Sequence, residues 1–404
     1  MIDMGYIKQI TFYEVKMLFR NNVFIILSIF TILGLPVCQY FVQGRFAFHY
    51  LIALPCALPL VNAFLFNMFQ SLIVIFVVGN NISDEKHLDT LAALRVRRYG
   101  NGDYLIGKLG AVLIVISLLN LTGLLFLVGF HIFFEIPFSV KIYLFYWITL
   151  TFPALLFALG VSLGVYSFVR VSFGGLVLLM LLLLLDVLGL SSQMNGVLDY
   201  RATEIPNVFS QILGHVGLGR YLLQRSVILF IGLGCIAFAV AGIPRIDDSS
   251  RVVIYWKIIG IVTILLGCGL GFVYSGFFYL DRQKRQQYRE SCCQYRNCGN
   301  VKILSHSIRC SQADGQLVLI DTLLLENVKD RVLGEMIFYL NPSLKVSRIE
   351  GEEENIRYEQ EGIVVKVNES LESKKQKRLI FHYSGGIDER VCYLYKDDSV
   401  SEKT

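Results

Sequence analysis

Two stretches of this chain run without a formal charge for longer than a lipid bilayer is thick. Every residue between Lys108 and Glu135, and every residue between Lys141 and Arg170, is uncharged, and most are apolar. A helix needs about 20 mostly apolar residues to cross roughly 30 Å of hydrocarbon, so both runs suffice. Five further segments carry the same pattern: Val23–Phe41, Leu51–Gly79, Val171–Leu190, Val227–Ala241 and Val252–Leu280. The fourth of these is short, and Pro55 and Pro59 interrupt the start of the second. The pattern predicts a polytopic α-helical membrane protein with seven transmembrane helices, six being the alternative count. Strands of a membrane barrel would alternate polar and apolar residues, which these runs do not.

The polar segments differ in kind. Residues 1–22 interleave Ile7, Ile10, Phe12, Val15, Leu18 and Phe19 with Lys8, Glu14, Lys16 and Arg20 at helical spacing. That spacing predicts an amphipathic helix on the membrane surface, too polar for a cleavable signal peptide. Residues 80–108 form the longest polar stretch between the early spans. Asp84 and Glu85 open a short helix there and Arg95, Arg97 and Arg98 close it, an order that suits the helix dipole. Gly100-Asn101-Gly102 then breaks the chain. Residues 191–225 are semi-polar and predict one or two interfacial helices.

After Leu280 the apolar residues shorten into strand-like runs: Gln316–Leu325, Glu335–Leu340, Leu344–Ile349, Gly362–Val367, Arg378–Tyr383 and Arg390–Tyr395. Asn341-Pro342, Gly351 and Gly385-Gly386 punctuate them, which predicts a C-terminal all-β domain. The chain accordingly divides into an interfacial helix (1–22), a transmembrane domain (23–280), a linker (281–310) and a β-rich domain (311–404). Composition agrees, with 54% hydrophobic against 17% charged residues.

Lysine and arginine in the loops set the orientation. An inner N-terminus places Lys8, Lys16, Arg20, Lys86, Arg95, Arg97, Arg98, Lys108, Arg170, Arg245 and Arg251 inside. Arg45, Lys141, Arg201, Arg220 and Arg225 then lie outside, so the balance of eleven to five favours this orientation. Seven spans then carry the tail outside, against the pull of Arg282, Lys284, Arg285 and Arg289; six would leave it inside.

Motifs of catalysis are missing. Gly102-Asp-Tyr-Leu-Ile-Gly107-Lys108 matches the start of a phosphate-binding loop, but Leu109 stands where a hydroxyl must reach magnesium, and the segment enters an apolar helix. No His forms HExxH, so no catalysis, cofactor or metal is expected of this chain. Cys292, Cys293, Cys298 and Cys310 admit a disulfide, a metal site or plain thiols. Asp186, within an apolar run, must face protein or water or lie near the outer end of its span. Asn120, with Asn62, Asn67 and Gln70, suits hydrogen bonding between helices. Asp186 and Asn120 are thus candidates for an intramembrane polar site. Asn368-Glu369-Ser370 fits a glycosylation sequon.

The segment from Gly79 to Val112 resembles the region after the second span of ABC-2 type permeases. Glu85-Lys86, Thr90-Leu91 and Tyr104-Leu105 with Gly107-Lys108 carry the likeness, which extends over about residues 1–280; Asp89 stands where the family usually has Gly. The tail, through Val332–Gly351 and Arg378–Tyr395, resembles the N-terminal β-domain of M1-family aminopeptidases as fused to some bacterial permeases, without the family's HExxH and GxMEN motifs. The resemblance implies a non-catalytic permease subunit of an ATP-driven exporter in the bacterial cytoplasmic membrane, with an extracytoplasmic tail. It implies a permease homodimer or heterodimer, a separate ABC ATPase subunit, and contact with membrane lipid but not nucleic acid. Glu85, Lys86, Asp89 and Thr90 would form the ATPase-coupling surface. The competing expectation is a membrane-anchored structural or binding protein whose extracytoplasmic β-domain recruits a peptide or envelope partner.

Overall fold

The structure is a computed structural model. It describes residues 4–44, 57–87, 100–133, 138–169, 172–189, 195–203, 209–210, 214–215, 217–242, 250–295, 301–313, 316–351, 356–388 and 390–391. It divides into two compact units, with the boundary between Gly276 and Phe277.

The first unit is helical. In chain order it holds α1 (Met4–Leu18), α2 (Asn22–Gly44), α3 (Ala57–His87), α4 (Asn101–Phe133), α5 (Val140–Tyr146), a π-helical turn (Trp147–Thr151), α6 (Phe152–Phe168) and α7 (Ser172–Val187). A two-stranded ribbon of β1 (Phe209–Ser210) and β2 (Gly214–His215) and then α8 (Leu218–Gly242) follow, before α9 (Ser250–Gln294), which crosses the boundary. Among the described residues six helices are long and apolar enough to cross a membrane: α2, α3, α4, the α5–α6 helix, α8 and α9. The protein is thus read as a multi-pass membrane protein. The remaining expected span, Val171–Leu190, contains α7, whose 16 residues reach only about 24 Å.

Local chemistry explains the helix ends. Asn21 Oδ1 accepts from the Val23 and Phe24 amides at 2.9 and 3.2 Å and so caps α2. Pro153 lacks an N–H, so the helix loosens into the π turn just before it. Gln70 of α3 donates across to the Thr151 carbonyl of that turn at 3.2 Å and to Asn67 Oδ1 at 2.8 Å. Both side chains are fully buried; Gln70 makes the interhelical bond that its uncharged polarity suggested, whereas Asn67 meets it within the same helix.

Small residues let the helices approach. A Cβ on Gly160 of α6 would fall on the Gly232 carbonyl of α8, and a Cβ on Gly232 would lie 2.7 Å from the Phe157 Cα. The contacts also fix direction. At one end, Gly107 of α4 touches Ile10 of α1, Gly102 touches Trp256 of α9, Gly79 of α3 and Gly175 of α7 touch Tyr166 of α6, and Gly242 of α8 touches Ser167. At the other end, Gln39 of α2 donates to the Leu58 carbonyl at 3.3 Å and His131 of α4 meets Tyr143 of α5 at 2.8 Å. Successive helices therefore run in alternating directions, α7 among them.

The second unit holds the end of α9 and seven strands: β3 (Lys302–Ala313), β4 (Gln316–Glu326), β5 (Met336–Tyr339), β6 (Leu344–Glu350), β7 (Tyr358–Glu361), β8 (Val364–Val367) and β9 (Gln376–Gly385). They form two antiparallel sheets, ordered β3-β4-β9-β6 and β5-β8-β7. The alternating inner residues Leu323 and Leu325 of β4, Leu379 and Phe381 of β9, and Met336, Val365 and Val367 of the smaller sheet make its core. Five of the six strand-like runs form strands; of Arg390–Tyr395, only Arg390 and Val391 lie within the described residues.

Four elements differ from the sequence pattern. Helix α8 begins nine residues before Val227, taking in Arg220, Gln224 and Arg225. Helix α9 continues through the polar run after Leu280 to Gln294, because that run is rich in helix formers and contains neither Gly nor Pro. Strand β3 and strand β7 were not marked by alternation. The segment 281–310 therefore holds the end of α9 and most of β3. Cys292, Cys293 and Cys310 are free thiols; Cys298 lies outside the described residues, as does Arg170. No group of three or more metal-ligating side chains occurs among the described residues.

Candidate functional site

Helix α1 docks along the first turns of α4. Ile7, Thr11, Glu14, Val15 and Leu18 turn inward, whereas Phe12, Tyr13, Met17 and Phe19 are exposed. Thr11 Oγ1 lies 3.1 Å from the Gly107 carbonyl, and Lys108 pairs with Glu14 at 3.5 Å. A Cβ at Gly107 would come within 2.7 Å of Ile10, so only glycine lets the two helices lie this close. Asp103 Oδ2 accepts from the Gly100 amide at 3.1 Å and starts α4. The Gly102–Lys108 segment is thus a helix-docking surface.

The expected coupling residues lie next to this surface in the chain. Glu85 and Lys86 belong to the last turns of α3, and their side chains are outside the described residues, as are Asp89 and Thr90 entirely.

Asp186 stands in the last turn of α7. Arg201 Nε donates to its Oδ2 at 2.6 Å and Arg201 Nη2 donates to its backbone carbonyl at 3.0 Å. The two side chains are 13% and 12% exposed, so the carboxylate sits in apolar surroundings only as half of an ion pair. The same guanidinium satisfies a carbonyl at the C-terminus of α7.

Residues 195–203 carry left-handed backbone at Asn195, Gly196 and the buried Ala202. A left-handed alanine is strained, so this loop needs outside support. Gln224 and Arg225 of α8 supply it. Gln224 Nε2 lies 2.8 Å from the Gly196 carbonyl and 3.1 Å from that of Asp199. Arg225 donates to the Tyr200 carbonyl at 2.8 Å, to the Asp199 carbonyl, and to Gln224 Oε1 at 2.6 Å. Tyr274 of α9 adds a bond to the Asn195 carbonyl at 3.1 Å. Both Gln224 and Arg225 are essentially inaccessible. Sequence reasoning counted Arg225 as a loop cation; the signal against that was its position abutting the apolar run that begins at Val227.

Between this loop and α3, α6 and α7 lies a cavity of about 190 Å³. Ile75, Phe157, Leu179 and Leu183 form its apolar walls, and Asp186 and Tyr200 its polar end. Asn120 is buried on α4 and lines neither this cavity nor the loop contacts, so the two expected intramembrane polar residues do not share a site.

The β unit has its own polar cluster. His306 Nε2 lies 2.8 Å from Asp321 Oδ2, and the Tyr383 hydroxyl is pushed up to about 12 by burial and then by the charge of Asp321. Asp388 accepts from Arg390 at 2.6 Å, which holds its carboxyl below the ordinary value of 3.8.

No protein-family model matches the chain, and no curated protein matches it.

Proposed function

We propose that this chain is the permease subunit of an ATP-driven exporter of the ABC-2 type. It works as a homodimer or heterodimer in the bacterial cytoplasmic membrane, and a separate ATPase chain supplies the hydrolysis. The supporting observation is the docking of α1 on Gly107 and Lys108 of α4. It brings the amphipathic helix and the start of α4 into one packed surface, just after the polar stretch that follows α3. A push on that stretch would pass through rigid, interlocked helices to the spans. In this reading Glu85, Lys86, Asp89 and Thr90 meet the ATPase.

The alternating helix directions support seven crossings with α7 as a short one, and hence a β unit outside the cytoplasm. The β unit is then a non-catalytic relative of the aminopeptidase N-terminal domain. Replacing Glu85 by Ala or Thr90 by Ala is expected to abolish transport-coupled ATPase stimulation while leaving membrane insertion intact. The measurement is co-purification of the ATPase subunit and its stimulated hydrolysis; normal values in both variants would remove the assignment.

A further inference from the structure

The cavity beside Asp186 has the size, walls and polar end of a ligand site. A cavity of about 150 Å³ lined by Leu, Ile and Phe stays dry and takes up benzene, whereas a single water needs only roughly 10–15 Å³. At about 190 Å³, with walls drawn from three helices, this space is too large and too apolar to be left to water. Leu182 and Leu198 line it and are themselves 43% and 41% exposed, so it communicates with the outer surface of the helical unit.

Its polar end selects the head of the ligand. Asp186 and Arg201 neutralise each other, with Nε on Oδ2 and Nη2 on the backbone carbonyl. Ser71 donates its own proton to the Asn67 carbonyl at 2.7 Å. The Tyr200 hydroxyl stands beside Ser71 and is buried without a hydrogen bond of good geometry among the described residues; the residue is only 7% exposed. With only that poorly aligned contact to Ser71, the buried hydroxyl is under-satisfied, and one added donor or acceptor would complete it. A charged head would find no counter-charge there, because both charges are already spoken for.

We propose that this cavity binds a single-chain amphiphile with an uncharged hydroxyl head, taken up from the lipid phase. The alkyl chain lies between α3, α6 and α7, and the head meets Tyr200. The site stands on the cavity alone and does not depend on an ATPase partner.

The test uses the full-length protein in phosphatidylcholine nanodiscs, photolabelled with a diazirine derivative of octanol and mapped by mass spectrometry. Adducts are expected to concentrate on Tyr200, Asp186 and the wall residues of α6 and α7, and to fall with excess octanol. Filling the space with Ala158→Phe or, separately, Val161→Phe, both in its α6 wall, is expected to remove them. Tyr200→Phe is expected to weaken protection by octanol about 5-fold, the worth of one hydrogen bond. Octanoate and octylammonium are expected to protect less than octanol. Adducts spread over all lipid-facing helices and unchanged in both filled variants would overturn the site. Equal protection by the charged chains, or by octanol in Tyr200→Phe, would overturn the uncharged head.

Discussion

Arg225 shows how one side chain can hold a strained loop in place. Its guanidinium spans two carbonyls of the 195–203 loop and the Gln224 side chain, in a setting with almost no water access. Arg225→Met keeps roughly the volume but leaves the Tyr200 carbonyl without its donor, whereas the Asp199 carbonyl keeps its bond from Gln224. Each buried group left unsatisfied costs about 1–3 kcal/mol. The variant is expected to lose about that much stability for the Tyr200 carbonyl, read as a lower midpoint of heat-induced aggregation in detergent. Asp388 makes a second residue-scale case. Its carboxyl is held below the ordinary value, chiefly by Arg390, so its stabilising contribution is complete above the unfolded-state pKa. That contribution disappears as pH falls through the folded-state value. Asp388→Asn is therefore expected to melt earlier than the parent at neutral pH, with the gap closing as pH falls below the ordinary carboxyl value of 3.8. A gap that is constant with pH would show that the ion pair does not carry the effect.

At the scale of elements, glycines decide which helices touch. Gly160 and Gly232 bring α6 and α8 into backbone contact, whereas a Cβ added at Gly123 of α4 would meet nothing within 4 Å. Gly160→Leu is expected to prevent recovery of monodisperse protein, and Gly123→Leu to leave the elution profile unchanged. Gly107→Leu drives α1 from α4 by contact with Ile10. The thiol of Ile10→Cys is expected to react with maleimide faster in that background than with Gly107 intact. The α1–α4 contact was not legible in the sequence. Residues 1–22 displayed an amphipathic pattern, but that pattern is the same whether the inner face meets lipid or another helix.

For the whole molecule, the proposed seven crossings make a topology that labelling can check. With all other cysteines replaced, the exposed Cys310 of β3 is expected to react with a membrane-impermeant maleimide in cells whose outer barrier is opened. A cysteine introduced at the exposed Lys16 is expected to react only after the cytoplasmic membrane is broken. Reaction of both from the same side would overturn the seven-crossing arrangement. The basic cluster after the last span bears on the same point. Arg285 is buried within the β unit's share of α9, and Asp281 meets Arg390 at 3.4 Å, so Arg282, Lys284, Arg285 and Arg289 are not a uniformly exposed anchor.

What the amino-acid order determined by itself is whatever each segment must satisfy alone. An uncharged run longer than the bilayer has to close its own backbone hydrogen bonds, so α4 and the α5–α6 helix were readable from their composition. Strands β4, β6 and β9 were readable because one face of each is buried, which imposes alternation. Strand β3 is exposed from Lys302 to Gln312, so no burial selects a pattern in it. The first turns of α8 look polar, and only folding brings Gln224 and Arg225 against carbonyls some 25 residues earlier in the chain. The pairing of Asp186 with Arg201, and the cavity beside them, likewise exist only once α3, α6 and α7 meet. A carboxylate's partner and an empty volume are properties of packed neighbours, and sequence spacing does not encode which neighbours those are.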